Sequence, residues 1–166
     1  VRRIISAAGL GLIKQYEQGP NGGPALVAYR DVAGVWTIGW GHTGGVYKGD
    51  TITATEADYL LAQDLAPVES AVSARTDPTM TTDSQFAAMV SFTFNIGAAG
   101  FLGSSVRRYH NERDYADAAR AFLLWDKAQV DGRLVTVAGL LERRNAERTL
   151  YLTPNIVLLS VFPIEA

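Results

Sequence analysis

A chain of 166 residues, 48% hydrophobic and 19% charged, carries enough apolar material for one packed domain and too much for global disorder. A formal net charge of −2 gives no basic footprint, so no nucleic-acid partner is expected. Without Cys there are no disulfides or thiolate metal sites, and two His argue against a His-built centre; neither metal nor cofactor is expected.

In chain order, Arg2-Arg3 followed by Ile4 to Ile13 resembles a short export-signal core. The run passes without a break into Lys14-Gln15-Tyr16-Glu17, and Ser6 suits an N-cap, so the reading favoured is a first helix over about 7–17. Gln18-Gly19-Pro20 ends it, and Asn21 to Pro24 is a loop by composition. Leu26–Tyr29 and Val35–Ile38 are β-prone runs flanking Asp31–Gly34, which predicts a hairpin. Gly39, Gly41, Gly44 and Gly45 make the next segment a turn-rich connector.

The rest reads as amphipathic helix. Thr53 to Glu56 is a capping box before a long pattern through Leu61, Leu65 and Val72, with Pro67 predicting a kink or a restart. Thr82 to Gln85 is a second box, opening a helix that buries Phe86, Met89, Val90 and Thr93 and closes at Gly97. Ser104 or Ser105 caps a short helix to about Asn111, and Asp114 precedes one carrying Ala118, Ala119, Phe122 and Trp125. Asp131-Gly132 reads as a loop, and Val137 to Tyr151 as the last helix, with Arg143, Arg144 and Arg148 on it. The tail from Pro154 to Ala166 is apolar without helical spacing and reads as a strand-like segment packed on the body or a neighbour. No apolar run approaches the roughly 20 residues of a bilayer span, so no stable membrane insertion is expected.

Chemistry concentrates in Tyr16 to Thr43. Glu17, at a helix C-terminus, meets the negative end of the macrodipole, which disfavours its ionised form and suits a proton donor. Its bland alternative is a solvated carboxylate at a fraying helix end. If the hairpin turns about Gly34, Asp31 and Thr37 stand directly opposite each other, close enough for a carboxylate and a hydroxyl to hold one water. A water so held is the general-base half of an inverting glycoside hydrolysis, with Glu17 as the acid. Taken singly, Asp31 is equally a turn former and Thr37 an ordinary strand residue.

The run AYRDVAGVWTIGWGHT resembles the phage-type lysozymes, glycoside hydrolase family 24. Their signature is a Glu ending the first helix, an Asp, five residues, and a Thr opening a TIGxGH run. Asp31, Thr37 and the run Thr37 to His42 match it; Phe94-Asn95-Ile96-Gly97 and GLLERRNAERTLY resemble two further segments, in the right order. The resemblance covers about Ile4 to Leu152. It implies an α+β, lysozyme-like fold: one catalytic domain over 1–153, with a β-lobe at about 18–52, a helical lobe at about 53–153 plus the first helix, and a cleft between, followed by the tail 154–166. It further implies hydrolysis of the β-1,4 bond between N-acetylmuramic acid and N-acetylglucosamine in peptidoglycan. Glu17 would be the acid, Asp31 the base and Thr37 the water's second anchor. Phe94, Asn95 and Trp40 would bind the glycan, and His42, paired with Asp64, would support the fold. Arg143 or Arg144 would approach Glu17. The expected partner is the peptidoglycan glycan strand, met by a monomer held in the host cytoplasm until lysis and acting in the periplasm. Thirteen residues separate Glu17 from Asp31, more than in the family's usual form, and the excess lies in PNGGPA. Two other readings remain: a non-catalytic glycan-binding or structural module on the same scaffold, and a lytic transglycosylase, which would leave Asp31 and Thr37 without a role.

Overall fold

The computed structural model describes residues 3–154. Its helices are α1 (Ala7–Tyr16), α2 (Ala54–Ser73), α3 (Asp83–Gly103), α4 (Ser105–Asn111), α5 (Tyr115–Ala121) and α6 (Ala138–Leu152), with a 3-10 turn at Phe122–Trp125. Strands β1 (Ala25–Arg30) and β2 (Trp36–Gly39) pair antiparallel, as do β3 (Lys127–Val130) and β4 (Arg133–Thr136). The expected α+β arrangement is therefore observed. The readings made for the tail beyond Pro154 and for Arg2 lie outside the described residues.

Capping chemistry sets the helix starts. Ser6 caps α1 by accepting from the Gly9 amide, and Thr53 and Thr82 form complete capping boxes with Glu56 and Gln85. Ser104 caps α4 and Asp114 caps α5. Each such cap satisfies backbone donors that the helix itself leaves open, contributing about 1 kcal/mol.

The core is organised on α3, which packs against α1, α2 and α6. Phe86, Met89, Val90 and Phe92 are fully buried, and Phe92 meets Phe122 edge-on at 5.1 Å. Burying each side chain of this size contributes about 1.5–3 kcal/mol. The first helix crosses α3 closely: a Cβ at Gly9 would stand 2.6 Å from that of Ala87, so no larger residue fits there.

Four expectations need correction. Asp83–Gly103 is, by length and mean hydropathy (1.5), apolar enough to cross a bilayer, contrary to the reading that no such run exists; here half of that stretch is buried in the core. The helix breaks at Gly97 (φ 83°, ψ 158°) as expected, but a second helical segment follows directly, to Gly103. Of the two outcomes expected at Pro67, a restart is not observed: the proline lies inside a single α2, its missing N–H tolerated on a helix held by long-range packing. Asp131-Gly132 is not a plain loop. Both residues take positive φ (49° and 76°) and form the two-residue turn of the β3–β4 hairpin.

A buried chain of hydrogen bonds ties α4 to α6. The Tyr151 hydroxyl lies 2.7 Å from His110 Nδ1, His110 Nε2 lies 2.9 Å from Thr81 Oγ1, and Thr81 Oγ1 donates to the Asp77 carbonyl at 2.7 Å. Because the Thr81 proton is committed to that carbonyl, Nε2 donates to the Thr81 oxygen, and in the neutral ring Nδ1 accepts from the Tyr151 hydroxyl. Burial, helped by Arg3, lowers the His110 pKa from 6.5 to about 4. The unfolded chain therefore binds a proton in this window that the folded one refuses, and stability falls as pH drops from 6.5 towards 4. The loss should be on the order of 3 kcal/mol. Urea unfolding at several pH values should show this slope in wild type and a much flatter one in His110→Gln.

Candidate active site

Glu17 closes α1, its amide bonded to the Ile13 carbonyl at 3.0 Å. Its side chain is held from the other end of the chain. Arg143 Nη1, on α6, donates to Glu17 Oε1 at 2.7 Å, which decides between the two candidate arginines. Arg143 is 4% exposed and also donates from Nε to Glu147 Oε1 at 3.2 Å, while its guanidinium stacks over the Tyr16 ring. Glu17 Oε2 lies against Gly41: a Cβ there would approach it to 3.2 Å, and Gly41 has φ 85°. A side chain at that position would crowd the carboxyl.

Arg144 turns the other way. Its Nη2 donates to Asn95 Oδ1 at 2.9 Å and to Glu147 at 3.1 Å. Glu147 is wholly buried and accepts from Ser91 as well (2.8 Å). Burial raises the Glu147 pKa and lowers that of Arg144, while their opposite charges oppose both shifts.

Asp31 directly follows β1, and its Oδ1 accepts from the amides of Ala33 and Val35 at 2.9 and 2.8 Å, so the carboxylate nucleates its own turn. The expected pairing of Asp31 directly opposite Thr37 is not observed. The register sets Thr37 opposite Tyr29, and Asp31 faces Val35, its amide bonded to that carbonyl at 3.0 Å. Asp31 and Thr37 are thus diagonal neighbours on one face of the hairpin. The reason is the turn: Asp31 closes it with its own backbone, which moves the paired positions two residues back. Thr37 is 3% exposed, and its hydroxyl donates to the Val35 carbonyl at 3.1 Å, leaving its oxygen as an acceptor.

Glu17, Asp31 and Thr37 line one pocket of about 510 Å³, walled also by Tyr16, Gln18, Tyr29, Val32, Gly41 and Thr43. Burial raises the Tyr29 pKa, and the carboxylates of Asp31 and Glu17 raise it further. That dependence places the phenol within the field of both acids.

The other sequence candidates fall outside this lining. The Trp40 indole N–H donates to Asp58 at 2.7 Å, and Lys14 lies over its ring, so this side chain is engaged between α1 and α2. Phe94 is half-buried against the core, and Asn95, exposed, accepts from Arg144 through its side-chain oxygen. His42 bonds Asp64 on α2 through Nδ1 at 2.8 Å and the Gly44 carbonyl through Nε2 at 2.8 Å, fixing the glycine-rich connector to the helix. Sequence reasoning misses Tyr29, Gln18, Val32 and Thr43. Only the flanking of Asp31 by alternate strand positions points to Tyr29.

A carboxyl on a helix end and another on a hairpin, opening on one pocket with a hydroxyl beside them, is the layout of an acid–base glycoside hydrolase. The chain belongs to the phage lysozyme family, whose model matches residues 21–147. It is 39% identical to the endolysin of Acyrthosiphon pisum secondary endosymbiont phage 1, over 89% of this chain and 97% of that protein. It is 42% identical to the endolysin of Salmonella phage P22, over 90% and 98%. The muramidase domain of SpmX from Asticaccaulis excentricus superimposes with a TM-score of 0.83 at 41% identity, covering 92% of this chain and 100% of that one. The fold is lysozyme-like.

Arg143 serves two carboxylates in a cluster nearly closed to water, so its removal leaves Glu17 without a cation and Glu147 with Arg144 alone. Arg143→Met should cost about 3–5 kcal/mol in urea unfolding at neutral pH. A loss below about 1 kcal/mol would show the clamp to be ornamental.

Proposed function

We infer that Glu17 and Asp31 are the acid and base of an inverting glycoside hydrolysis, with Thr37 as the water's second anchor. The protein is a lysozyme of the endolysin type, hydrolysing bacterial peptidoglycan. The bond cleaved is the β-1,4 link between N-acetylmuramic acid and N-acetylglucosamine. The observation that carries the assignment is the single pocket onto which Glu17, Asp31 and Thr37 all open.

The hydrogen bonds give each group its part. Asp31 Oδ1 holds two turn amides, which orients the carboxylate while its remaining acceptor capacity faces the pocket. Thr37 already spends its proton on Val35, so towards a water it can only accept. A water donating one proton to Asp31 and the other to Thr37 has its lone pair directed at the sugar's anomeric carbon. Attack there transfers a proton to Asp31, and Glu17 protonates the departing glycosidic oxygen. Arg143 holds one oxygen of Glu17, which leaves Oε2, beside Gly41, as the oxygen that meets the leaving group. Phe94, Asn95 and Trp40 would contribute at the margin of such a cleft, with His42 and Asp64 supporting the connector. The enzyme would act as a monomer on glycan strands in the periplasm, after a cytoplasmic stage that ends with host lysis.

The test is clearing of outer-membrane-permeabilised Gram-negative cells. Glu17→Gln should lower the rate about 10²–10⁴-fold, the contribution of a general acid. Equal clearing by both forms would remove Glu17 from the mechanism, and no clearing by wild type would point to a binding module. Products ending in reducing sugars are expected; anhydro-muramic ends would indicate transglycosylation instead. Thr37→Val removes one hydroxyl from a strand that otherwise keeps its packing. It should unfold within about 1 kcal/mol of wild type yet be clearly impaired in clearing; full activity would sink the water's second anchor.

A further inference from the structure

Glu147 is wholly buried, stands outside the lining of the catalytic pocket and has no part in the reaction as described. It is nonetheless the hub of the ionic cluster behind Glu17. Its Oε1 accepts from Arg143 Nε at 3.2 Å, from Arg144 Nη2 at 3.1 Å and from the Ser91 hydroxyl at 2.8 Å. Its Oε2 lies 2.8 Å from Arg144 Nε. Burial favours the protonated form of such a group, and this convergence of donors holds it ionised.

A proton donor and a cation make awkward neighbours. A cation within hydrogen-bond reach of a carboxyl favours the ionised form and strips the proton that a general acid must keep. Arg143 Nη1 stands 2.7 Å from Glu17 Oε1. The way the guanidinium is divided resolves the conflict. Nε goes to Glu147, Nη2 to the Ser91 carbonyl at 3.4 Å, and Nη1 to Glu17. A guanidinium free of other partners meets a carboxylate through two parallel N–H bonds, one to each oxygen. With Nε occupied, Arg143 holds Glu17 through Oε1, and Oε2 stays beside Gly41.

We propose that Glu147 is a positioning residue for the acid. It occupies Arg143 Nε with its own charge and so keeps the hold on Glu17 single, which lets Glu17 carry the proton it must deliver. The inference rests on the hydrolase reading above. Charge balance supports it: Arg143 and Arg144 face Glu17 and Glu147, and removing the buried anion would leave Glu17 opposite both guanidiniums. The other titratable groups facing the cluster are Tyr16 on α1, Glu142 on α6, and Tyr29 and Asp31 on the hairpin side of the pocket. From α3 come Ser91 and Asn95, both uncharged. These all stay in place in the variants that test the proposal.

The experiment follows kcat and KM against pH on solubilised peptidoglycan for wild type, Glu147→Gln and the double variant Arg144→Met/Glu147→Met. The double variant removes a cation and an anion together and puts apolar side chains of similar volume in their place, so it should fold even where the single variant does not. In both, Arg143 loses its second carboxylate, and the alkaline limb of kcat should move down by about one pH unit or more. An unmoved limb, whether kcat falls uniformly or KM rises, is what a merely structural part would give and would overturn the proposal. A second measurement does not depend on turnover. Titration of the isotope-labelled Glu17 carboxyl by NMR should give a lower midpoint in both variants than in wild type; an unmoved or raised midpoint would also overturn it. Should wild type release no reducing ends, the hydrolase reading fails, while the NMR midpoints still decide whether Glu147 limits the hold of Arg143 on Glu17.

Discussion

The Arg143 guanidinium is where the two ends of the chain are joined. It reaches from α6 to Glu17 at the end of α1, to Glu147 one turn along its own helix, and to the Ser91 carbonyl of α3. Three helices thus converge on one cation that is almost wholly removed from water. Desolvating such a group is costly, and only close, hydrogen-bonded anions offset it. The geometry that satisfies Arg143 is therefore also the geometry that aims Glu17. A slide of α6 along α3 would carry the proposed acid with it, which makes the packing of the helical core a determinant of the site.

The hairpin side is organised on a different rule. Asp31 and Thr37 each spend part of their hydrogen-bonding capacity on their own backbone and turn the remainder to the pocket. The same bonds that fold the turn therefore orient the groups proposed to hold water. His42, bridging Asp64 and Gly44, anchors the connector behind β2 to α2, so the hairpin is not free to rock against the helices. One carboxyl is placed by long-range ionic packing and the other by a local turn.

Much of this is legible in the order of the amino acids. Helix boundaries follow the capping chemistry of Ser6, Thr53, Thr82 and Asp114, because a cap is a local event between residues three apart. The β3–β4 hairpin escapes such reading although Asp131-Gly132 carries its turn signal; Gln129 and Arg133 beside it look like loop. Which arginine meets Glu17 is not encoded locally, since adjacent helical residues point about 100° apart and only tertiary packing selects between them. The register of Asp31 eludes pattern reading for a similar reason: its carboxylate bonds to the turn rather than to the facing strand. Trp40 has the look of a sugar platform, and the partner that engages its indole lies eighteen residues away on α2.

Because the Gly19 amide and the Gly23 carbonyl meet at 2.8 Å, residues 20–22 hang from the body by a closed neck. Trimming or extending that appendage leaves both ends of the neck in place. Insertions or deletions at residues 20–22 can therefore accumulate while the body to which the loop is tied keeps its shape.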